Sequence, residues 1–180
     1  MRVGEILGGA DVAAVSDREA TVTMEVPKYA STSVEENYYR AHIVGDEEHG
    51  VPGVENRRVV ARAITLDSIA EGLDSVSFIK CDVEGHELAC IAGAESLLRR
   101  HRPAWLIEVS DDPDVPGTSA SRLFELLERE SYVPWFLDGD RVVRRRPGDH
   151  STNYFFLTEA HVEGLGARLP GLVLQASHSS

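Results

Sequence analysis

The sequence has little of what marks a secreted, membrane-embedded or nucleic-acid-binding protein. Two cysteines in 180 residues exclude a disulfide framework and favour a reducing compartment, with both thiols free. Lysine and arginine total 18 against 30 acidic residues, a formal net charge of -12 at pH 7. Since nucleic acids and anionic membranes bind basic surfaces, we expect neither as a partner. No apolar run is long enough to span a bilayer and residues 1–5 do not begin a signal peptide, so we expect a cytoplasmic protein.

A glycine-rich nucleotide loop is also missing. Gly164 and Gly166 lack a third glycine at the required spacing and do not follow directly on a strand. Pro170 would interrupt the helix that such a turn begins. We therefore expect residues 163–180 to be a flexible tail.

The sequence does contain 42% hydrophobic residues, enough for a globular domain with a core, organised around residues 76–109. Residues 76–83 are a short apolar run that suits a strand buried on both faces, and Gly85 allows a tight turn after it. A helical pattern follows until Pro103, and residues 104–109 form a second apolar run. This order predicts an α/β fold with a right-handed β-α-β unit of parallel strands.

Acidic residues lie where both of these strands end. Asp82 and Glu84 follow the first strand and Glu108 closes the second, and ligands of parallel sheets bind beyond the carboxyl ends of the strands. Each acid alone is better explained as a solvated or capping residue, but the three together favour a site. We expect Asp82 to face Glu108 about 4.8 Å away across adjacent strands. Like charges this close raise the pKa of at least one carboxyl, which would make it a base.

Further strands and helices are predicted on either side of this unit. Residues 11–16 and 21–26 favour two strands, paired antiparallel or at a sheet edge, and residues 57–64 favour another. Thr65 or Asp67 can cap a short helix over residues 68–72. The C-terminal part predicts an amphipathic helix, a hairpin at an Asp-Gly turn and a closing strand, over residues 121–132, 133–145 and 153–157.

Two stretches give no firm structural pattern. Residues 28–58 lack a sustained period and are either a tyrosine-bearing lid over a substrate or a surface insertion, and we favour the insertion. His42 and His49 lack the spacing of metal ligands, so no zinc site is assigned. We interpret residues 144–146, three arginines, as a solvated strand end.

The segment FIKCDVEGHELACIAGAESLL, followed by RPAWLIEV, resembles the hallmark of the FkbM-type methyltransferases. That pattern is FIKIDVEGxE, a helix with a Gly-Ala step, and RP before a strand that ends in Glu. VAAVSDREATVTMEV, ITLDSI and STNYFF resemble the family's AVSDREGTVTxxV segment, its TLD element and its closing strand. The resemblance is collinear from about Asp11 to Phe156.

The resemblance implies a Rossmann-like class I methyltransferase fold over residues 1–162, with the central β-α-β unit, a C-terminal hairpin and a closing strand. It implies transfer of a methyl group from S-adenosylmethionine to a hydroxyl of a small metabolite or sugar. Asp82, Glu84 and Glu108 would line the acceptor pocket, and one carboxylate would take the hydroxyl proton. His86 is the other candidate base, although a histidine at a helix start is more often a surface residue.

Class I methyltransferases bind S-adenosylmethionine on a glycine-rich turn after their first strand and on an acid that closes the second. This chain contains neither, so we expect an incomplete fold that lacks roughly 60 residues, about two strand–helix units, through a late start codon or a truncated gene. We expect weak cofactor binding or none by the chain alone, with Asp82 as the one candidate contact. Two acids with one residue between them do not define a metal site, so metal use stays open.

Two alternatives of other classes remain. A catalytically incomplete remnant would act as a binding or oligomerisation module, because an open sheet edge pairs with another copy. A magnesium-dependent hydrolase built on the same acids ranks last, because the sequence has no nucleophile motif or phosphate loop.

Overall fold

The computed structural model describes residues 13–28, 42–43, 55–168 and 174–175, with the side chains of residues 26–28, 42–43, 55–56 and 174–175 left aside. The chain divides into two compact units: unit 1 contains residues 1–71 and 83–94, and unit 2 contains residues 72–82 and 95–180. Each unit has one sheet, and five described helices complete an α/β fold, as predicted. Among the described residues, no helix has the length and apolar composition needed to cross a bilayer.

The described residues of unit 1 form four strands and two helices: β1 (Ala13–Val15), β2 (Ala20–Lys28), β3 (His42–Ile43), β4 (Glu55–Ile64), α1 (Leu66–Ala70) and α2 (Glu87–Ala92). The order in its sheet is β1-β4-β2-β3. The predicted pairing of β1 with β2 is wrong, because β4 lies between them, parallel to β1 and antiparallel to β2. The Ser16 amide donates to the Ile64 carbonyl at 2.9 Å, which extends the β1–β4 ladder, so residues 16–19 cross the end of β4 and close no hairpin.

A polar cap begins α1 where the sequence predicts one. The Thr65 hydroxyl accepts a hydrogen bond from the Ser68 amide at 3.0 Å, which satisfies one of the free N–H groups at the helix start. The helix begins two residues earlier than predicted.

The helix predicted after Gly85 is divided in two. α2 ends at Ala92, and α3 (Glu95–Arg100) belongs to unit 2. Gly93 caps α2, and its carbonyl accepts from the Asp67 amide at 3.0 Å. A Cβ atom on Gly93 would lie 2.2 Å from the Ser16 carbonyl oxygen, so only glycine lets the two backbones approach this closely.

The remaining elements of unit 2 are β5 (Phe78–Cys81), β6 (Ala104–Glu108), α4 (Ser119–Arg129), β7 (Val133–Asp138), β8 (Arg141–Arg144), β9 (Asn153–Leu157), α5 (Glu159–Arg168) and β10 (Leu174–Gln175). Its sheet has the order β10-β8-β7-β9-β6-β5. The parallel pairing of β5 with β6 and the β7–β8 hairpin at Gly139 are confirmed. The closing strand β9 lies antiparallel between β6 and β7.

The prediction that the first strand of the central unit is buried on both faces is wrong. β5 lies at one edge of its sheet, and only Cys81 among its residues is fully buried. Phe78 is 53% exposed. β6 has neighbours on both sides and buries Trp105 and Ile107 completely. The hydrophobic pattern of a sequence reports how apolar a strand is but not which strands lie beside it. It therefore does not distinguish edge strands from central strands.

The core of unit 2 is built by α4 on the sheet. Phe124 packs edge-to-face on the rings of Tyr154 and Phe156, with ring centroids 5.1 and 4.9 Å apart. Leu123 and Leu127 of the same helix are also fully buried. This is the apolar face that the sequence of residues 121–132 predicts.

The interpretation of residues 144–146 as a solvated strand end is wrong for Arg145. Its side chain is 7% exposed, forms an ion pair with Asp114 at 2.6 Å and lies over the ring of Phe124 at 5.3 Å. Asp114 also accepts from the Gly148 amide at 2.6 Å, and the pKa of Asp114 is lowered, chiefly by Arg145. The pair thus ties the loop after β6 to the loop after β8.

Two parts of the expected tail belong to regular elements, because residues 163–168 form the second half of α5 and Leu174–Gln175 form β10. The ring Nδ1 of His161 accepts from the Thr158 amide at 3.0 Å, and this bond braces the start of α5.

Some expectations concern parts of the chain outside the described residues. These are the lid or insertion over residues 29–41 and 44–54, and the side chains of His42 and His49. Cys81 and Cys90 are buried, and neither forms a disulfide bond.

We predict that Gly93→Ala lowers the free energy of unfolding by about 1–3 kcal/mol, because the new methyl group meets the Ser16 carbonyl. Gly164→Ala is the matched control, since nothing lies within 4 Å of its added Cβ in α5. That control should gain about 0.5–1 kcal/mol from helix propensity. Urea unfolding followed by circular dichroism measures both. Equal effects of the two substitutions would contradict the close approach at Gly93.

Candidate active site

The four predicted site residues fall in both units. Asp82 and Glu108 belong to unit 2, and Glu84 and His86 belong to unit 1. The structure therefore offers two clusters, which we call the carboxylate cluster (Lys80, Asp82, Glu108) and the histidine cluster (Ser16, Asp17, His86).

The carboxylate cluster lies at the carboxyl ends of two adjacent parallel strands. Cys81 pairs with Ile107, so the next residues, Asp82 and Glu108, are neighbours across the strands, as predicted. The Lys80 ammonium lies 2.6 Å from the Asp82 carboxylate. The neighbouring Glu108 side chain also lowers the pKa of Asp82.

The expected rise in pKa does not occur at Asp82. Its pKa is lowered, first by the hydrogen bond from Lys80 and then by the contact with Glu108, and partial burial only partly opposes this. Asp82 and Glu108 both raise the pKa of Lys80, so the cation counters both acids. A carboxylate of lowered pKa is a weak base but a good hydrogen-bond acceptor.

The turn after Asp82 is braced by an acid to which the sequence analysis assigned no role. Glu84 and Gly85 have left-handed backbones, with φ of 50° and 90°. The Glu87 carboxylate accepts from the Val83 amide at 3.3 Å and from the Gly85 amide at 3.0 Å. These N–H groups are therefore already bonded, and Glu84 is exposed in the turn. The segment DVEGHE (residues 82–87) could have indicated this role for Glu87. Gly85 marks the turn, and Glu87 follows it by two residues, close enough to accept a hydrogen bond from the turn.

His86 is not the surface histidine that its position suggested. It is half-buried at the start of α2, and its Nε2 lies 2.9 Å from the Ser16 hydroxyl. Ser16 is 6% exposed, and its hydroxyl also reaches Asp17 Oδ1 at 3.2 Å. Burial lowers the pKa of His86, and the negative charges of Asp17 and Glu87 oppose this less strongly.

Ser16 and Asp17 were missed as candidate site residues. They are the Ser-Asp of the AVSDRE segment, in which the sequence shows a family resemblance and no chemical role. The bond between Ser16 and His86 joins residues 70 apart in sequence, and no local pattern encodes such a contact.

A separate cleft of about 940 Å³ lies in unit 2, and aromatic, cationic and hydroxyl groups line it, including Arg102, Tyr132, Trp135, Arg144 and Thr158. The strand registers place it at the end of the sheet opposite Glu108, and none of the predicted site residues lines it. Within the part of the chain that the structure describes, no three histidine, cysteine or acidic side chains are grouped to hold a metal ion.

The profile of the methyltransferase FkbM domain matches residues 10–134, more than half of the chain. The chain belongs to the FkbM methyltransferase family. The match extends from β1 into β7 and contains both clusters. It ends before the STNYFF segment, whose resemblance to the family's closing strand stays a prediction. No curated protein and no solved structure matches this FkbM domain.

The lowered pKa of His86 predicts how stability depends on pH. Between the folded-state pKa and the ordinary value of 6.5, the unfolded chain binds more protons at this residue than the folded chain. The contribution of His86 therefore makes stability rise with pH up to 6.5 and stay level above it. Urea unfolding of the wild type and His86→Gln between about pH 5 and pH 8 should show this rise as a difference between them.

The control for this measurement is His101→Gln, which leaves the histidine cluster intact. It shows how the loss of a histidine outside that cluster affects the stability of the chain. If His86→Gln and the wild type change in parallel across the whole range, the burial of His86 has no consequence for its protonation.

Proposed function

We propose that this FkbM methyltransferase transfers a methyl group from S-adenosylmethionine to a hydroxyl of a small metabolite or sugar. The observation that carries the proposal is the carboxylate cluster, in which Asp82 and Glu108 stand at the carboxyl ends of neighbouring parallel strands. A carboxylate kept ionised by Lys80 binds donors such as hydroxyl and ammonium groups. Acceptor hydroxyls and the ribose of the methyl donor both carry such groups.

S-adenosylmethionine, when bound, supplies a methyl group activated on a sulfonium. Asp82 fits the role of an acceptor for donors on the cofactor. The backbone amides of the turn after β5 do not fit the role of a cradle for its carboxylate, since Glu87 occupies those of Val83 and Gly85. The described residues thus fit only part of the cofactor.

In this proposal Asp82 positions the bound groups and does not remove the proton of the acceptor hydroxyl. Its lowered pKa makes it a hydrogen-bond acceptor and counter-charge, and Glu108 lies beside it at the same sheet edge. The acidic balance of the whole chain supports an acceptor other than nucleic acid or membrane lipid.

A test uses S-adenosylmethionine with a tritiated methyl group, at millimolar concentration, and a panel of hexoses, methyl glycosides and glycerol. We expect label in a base-stable product, which marks an ether and excludes a methyl ester. Asp82→Asn should lower the rate about 10- to 100-fold, from the loss of a charged hydrogen bond worth about 1.5–3 kcal/mol. Asp74→Asn, an exposed acid of the same unit, is the matched control and should keep the wild-type rate.

Calorimetry with S-adenosylmethionine accompanies this assay. We expect no micromolar signal from the chain alone. A clear one-site isotherm would show that residues other than those described here hold the cofactor. Base-labile label, or no transfer to any member of the panel, would contradict O-methylation.

One observation favours a second candidate, a binding or oligomerisation module. β5 has one neighbouring strand among the described residues, and its face carries the exposed ring of Phe78. A free edge of this kind accepts a strand from a second copy, although Lys80 on the same face is a residue that commonly guards such edges.

If β5 joins two copies, Phe78→Glu should convert a concentration-dependent dimer to monomer in sedimentation velocity, because it places charge in the contact. Leu137→Glu is the matched control, since Leu137 is also an exposed apolar residue but lies on a strand with neighbours on both sides. A wild-type chain that is monomeric at every concentration would exclude this candidate.

A further inference from the structure

The cleft of about 940 Å³ in unit 2 lies where the ends of four strands meet. Its lining includes Arg102 just before β6, Val133 at the start of β7, Arg144 at the end of β8 and Leu157 at the end of β9. Because the strand order is β8-β7-β9-β6, the backbones of Arg102 and Arg144 are three strand spacings apart, about 14 Å. The cleft therefore has an arginine on either side and the volume of a small-molecule site.

One wall of the cleft contains a tryptophan with an unused hydrogen-bond donor. Trp135 of β7 is paired directly with Arg144 of β8, so the two side chains lie on the same face of the sheet. Trp135 is only 5% exposed, and its indole N–H has no hydrogen-bond partner among the described residues. Because a buried donor without a partner costs free energy, this wall favours a polar occupant over a purely apolar one.

Four exposed charged side chains line the cleft, two cations and two acids: Arg102, Arg144, Glu128 and Glu159. Within the part of the chain that the structure describes, none of the four forms an ion pair. Arginine binds phosphate oxygens through paired N–H groups, and an ionised carboxylate accepts hydrogen bonds from hydroxyls. Cations alone would favour any anion, whereas these four charges favour a ligand that carries both an anionic group and hydroxyl groups.

The Arg102 side chain is held in place at the edge of the cleft. Its Nη2 donates to the Glu130 carbonyl at 3.3 Å, and its guanidinium lies over the ring of Tyr132, 5.8 Å from the centroid. The backbones of Arg102 and Ser131 are left-handed, with φ of 47° and 66°, and both residues line the cleft. They follow the ends of α3 and α4, where glycine is the usual residue. Arg102→Gly therefore suits the backbone while it removes the guanidinium.

We propose that this cleft binds a small phosphate monoester carried on a hydroxylated ring, as in a sugar phosphate or a nucleoside monophosphate. Arg102 and Arg144 hold the phosphate, Glu128 and Glu159 accept from the ring hydroxyls, and the ring lies against the wall that contains Trp135. The site does not depend on the proposed function, because none of these residues belongs to the carboxylate cluster.

The first test follows the indole groups by ¹H–¹⁵N spectra of the ¹⁵N-labelled chain. The chain has two tryptophans, and Trp135→Phe assigns their two signals. Glucose 6-phosphate, adenosine monophosphate, glucose and inorganic phosphate are titrated separately. We expect one of the two esters to shift the Trp135 signal saturably and to bind at least about 10-fold more tightly than glucose or inorganic phosphate. The Trp105 signal is the internal control and should stay unchanged, because Trp105 is fully buried and does not line the cleft.

The second test measures the Kd of that ester for variants of the charged side chains. Arg144→Gln and Arg102→Gly should each raise the Kd about 10- to 100-fold, because each removes charged hydrogen bonds. Arg122→Gln is the matched control and should keep the wild-type Kd, since Arg122 is an exposed arginine of α4 outside the cleft. Glu128→Ala should weaken binding of the ester and strengthen binding of inorganic phosphate, because it removes a hydroxyl acceptor together with a negative charge.

Each negative result overturns a named part of the inference. If neither ester shifts the Trp135 signal, or if the two arginine variants bind like Arg122→Gln, the cleft is not the site. If inorganic phosphate binds as tightly as the better ester, or Glu128→Ala strengthens both, the cleft does not recognise ring hydroxyls. None of these results bears on methyl transfer, which the tritium assay tests separately.

Discussion

The DVEGHE motif of this domain depends on two hydrogen bonds that the Glu87 carboxylate accepts from backbone amides of the turn. Glu84 and Gly85 both need left-handed backbones, and a residue with a side chain adopts one at a cost of about 1–2 kcal/mol. Hydrogen bonds to a charged acceptor return about 1.5–3 kcal/mol each. Glu87 supplies two, to Val83 and Gly85. The glycine and the second glutamate of DVEGHE therefore have a structural reason that is independent of any ligand.

The same short motif carries two titratable side chains in opposite electrostatic settings. Lys80 lowers the pKa of Asp82, so this acid stays ionised and binds donors. Burial lowers the pKa of His86, so this ring binds a proton less readily in the folded chain than in the unfolded chain. Two groups close in sequence can thus differ in protonation because their surroundings differ. Residue type alone does not show which group takes which role.

Local sequence patterns predicted the individual helices and strands. Contacts between residues that are distant in sequence determined the strand order and the side-chain partners. The parallel β5–β6 pair and the hairpin at Gly139 follow from apolar runs and turn residues near each other in the chain. The insertion of β4 between β1 and β2 could not be predicted, because a four-residue connection suits a hairpin equally well. Arg145 was misjudged for the same reason, since its partner Asp114 lies on another loop. The contact between His86 and Ser16 belongs to this class.

Ser16 links two of the family's segments by separate atoms. Its carbonyl oxygen lies so close to Gly93 that a methyl group there would collide with it, and its hydroxyl meets the ring of His86. The backbone of one residue thus sets the distance between β1 and the end of α2, while its side chain orients the histidine at the start of the same helix. Gly93 therefore acts on His86 through Ser16.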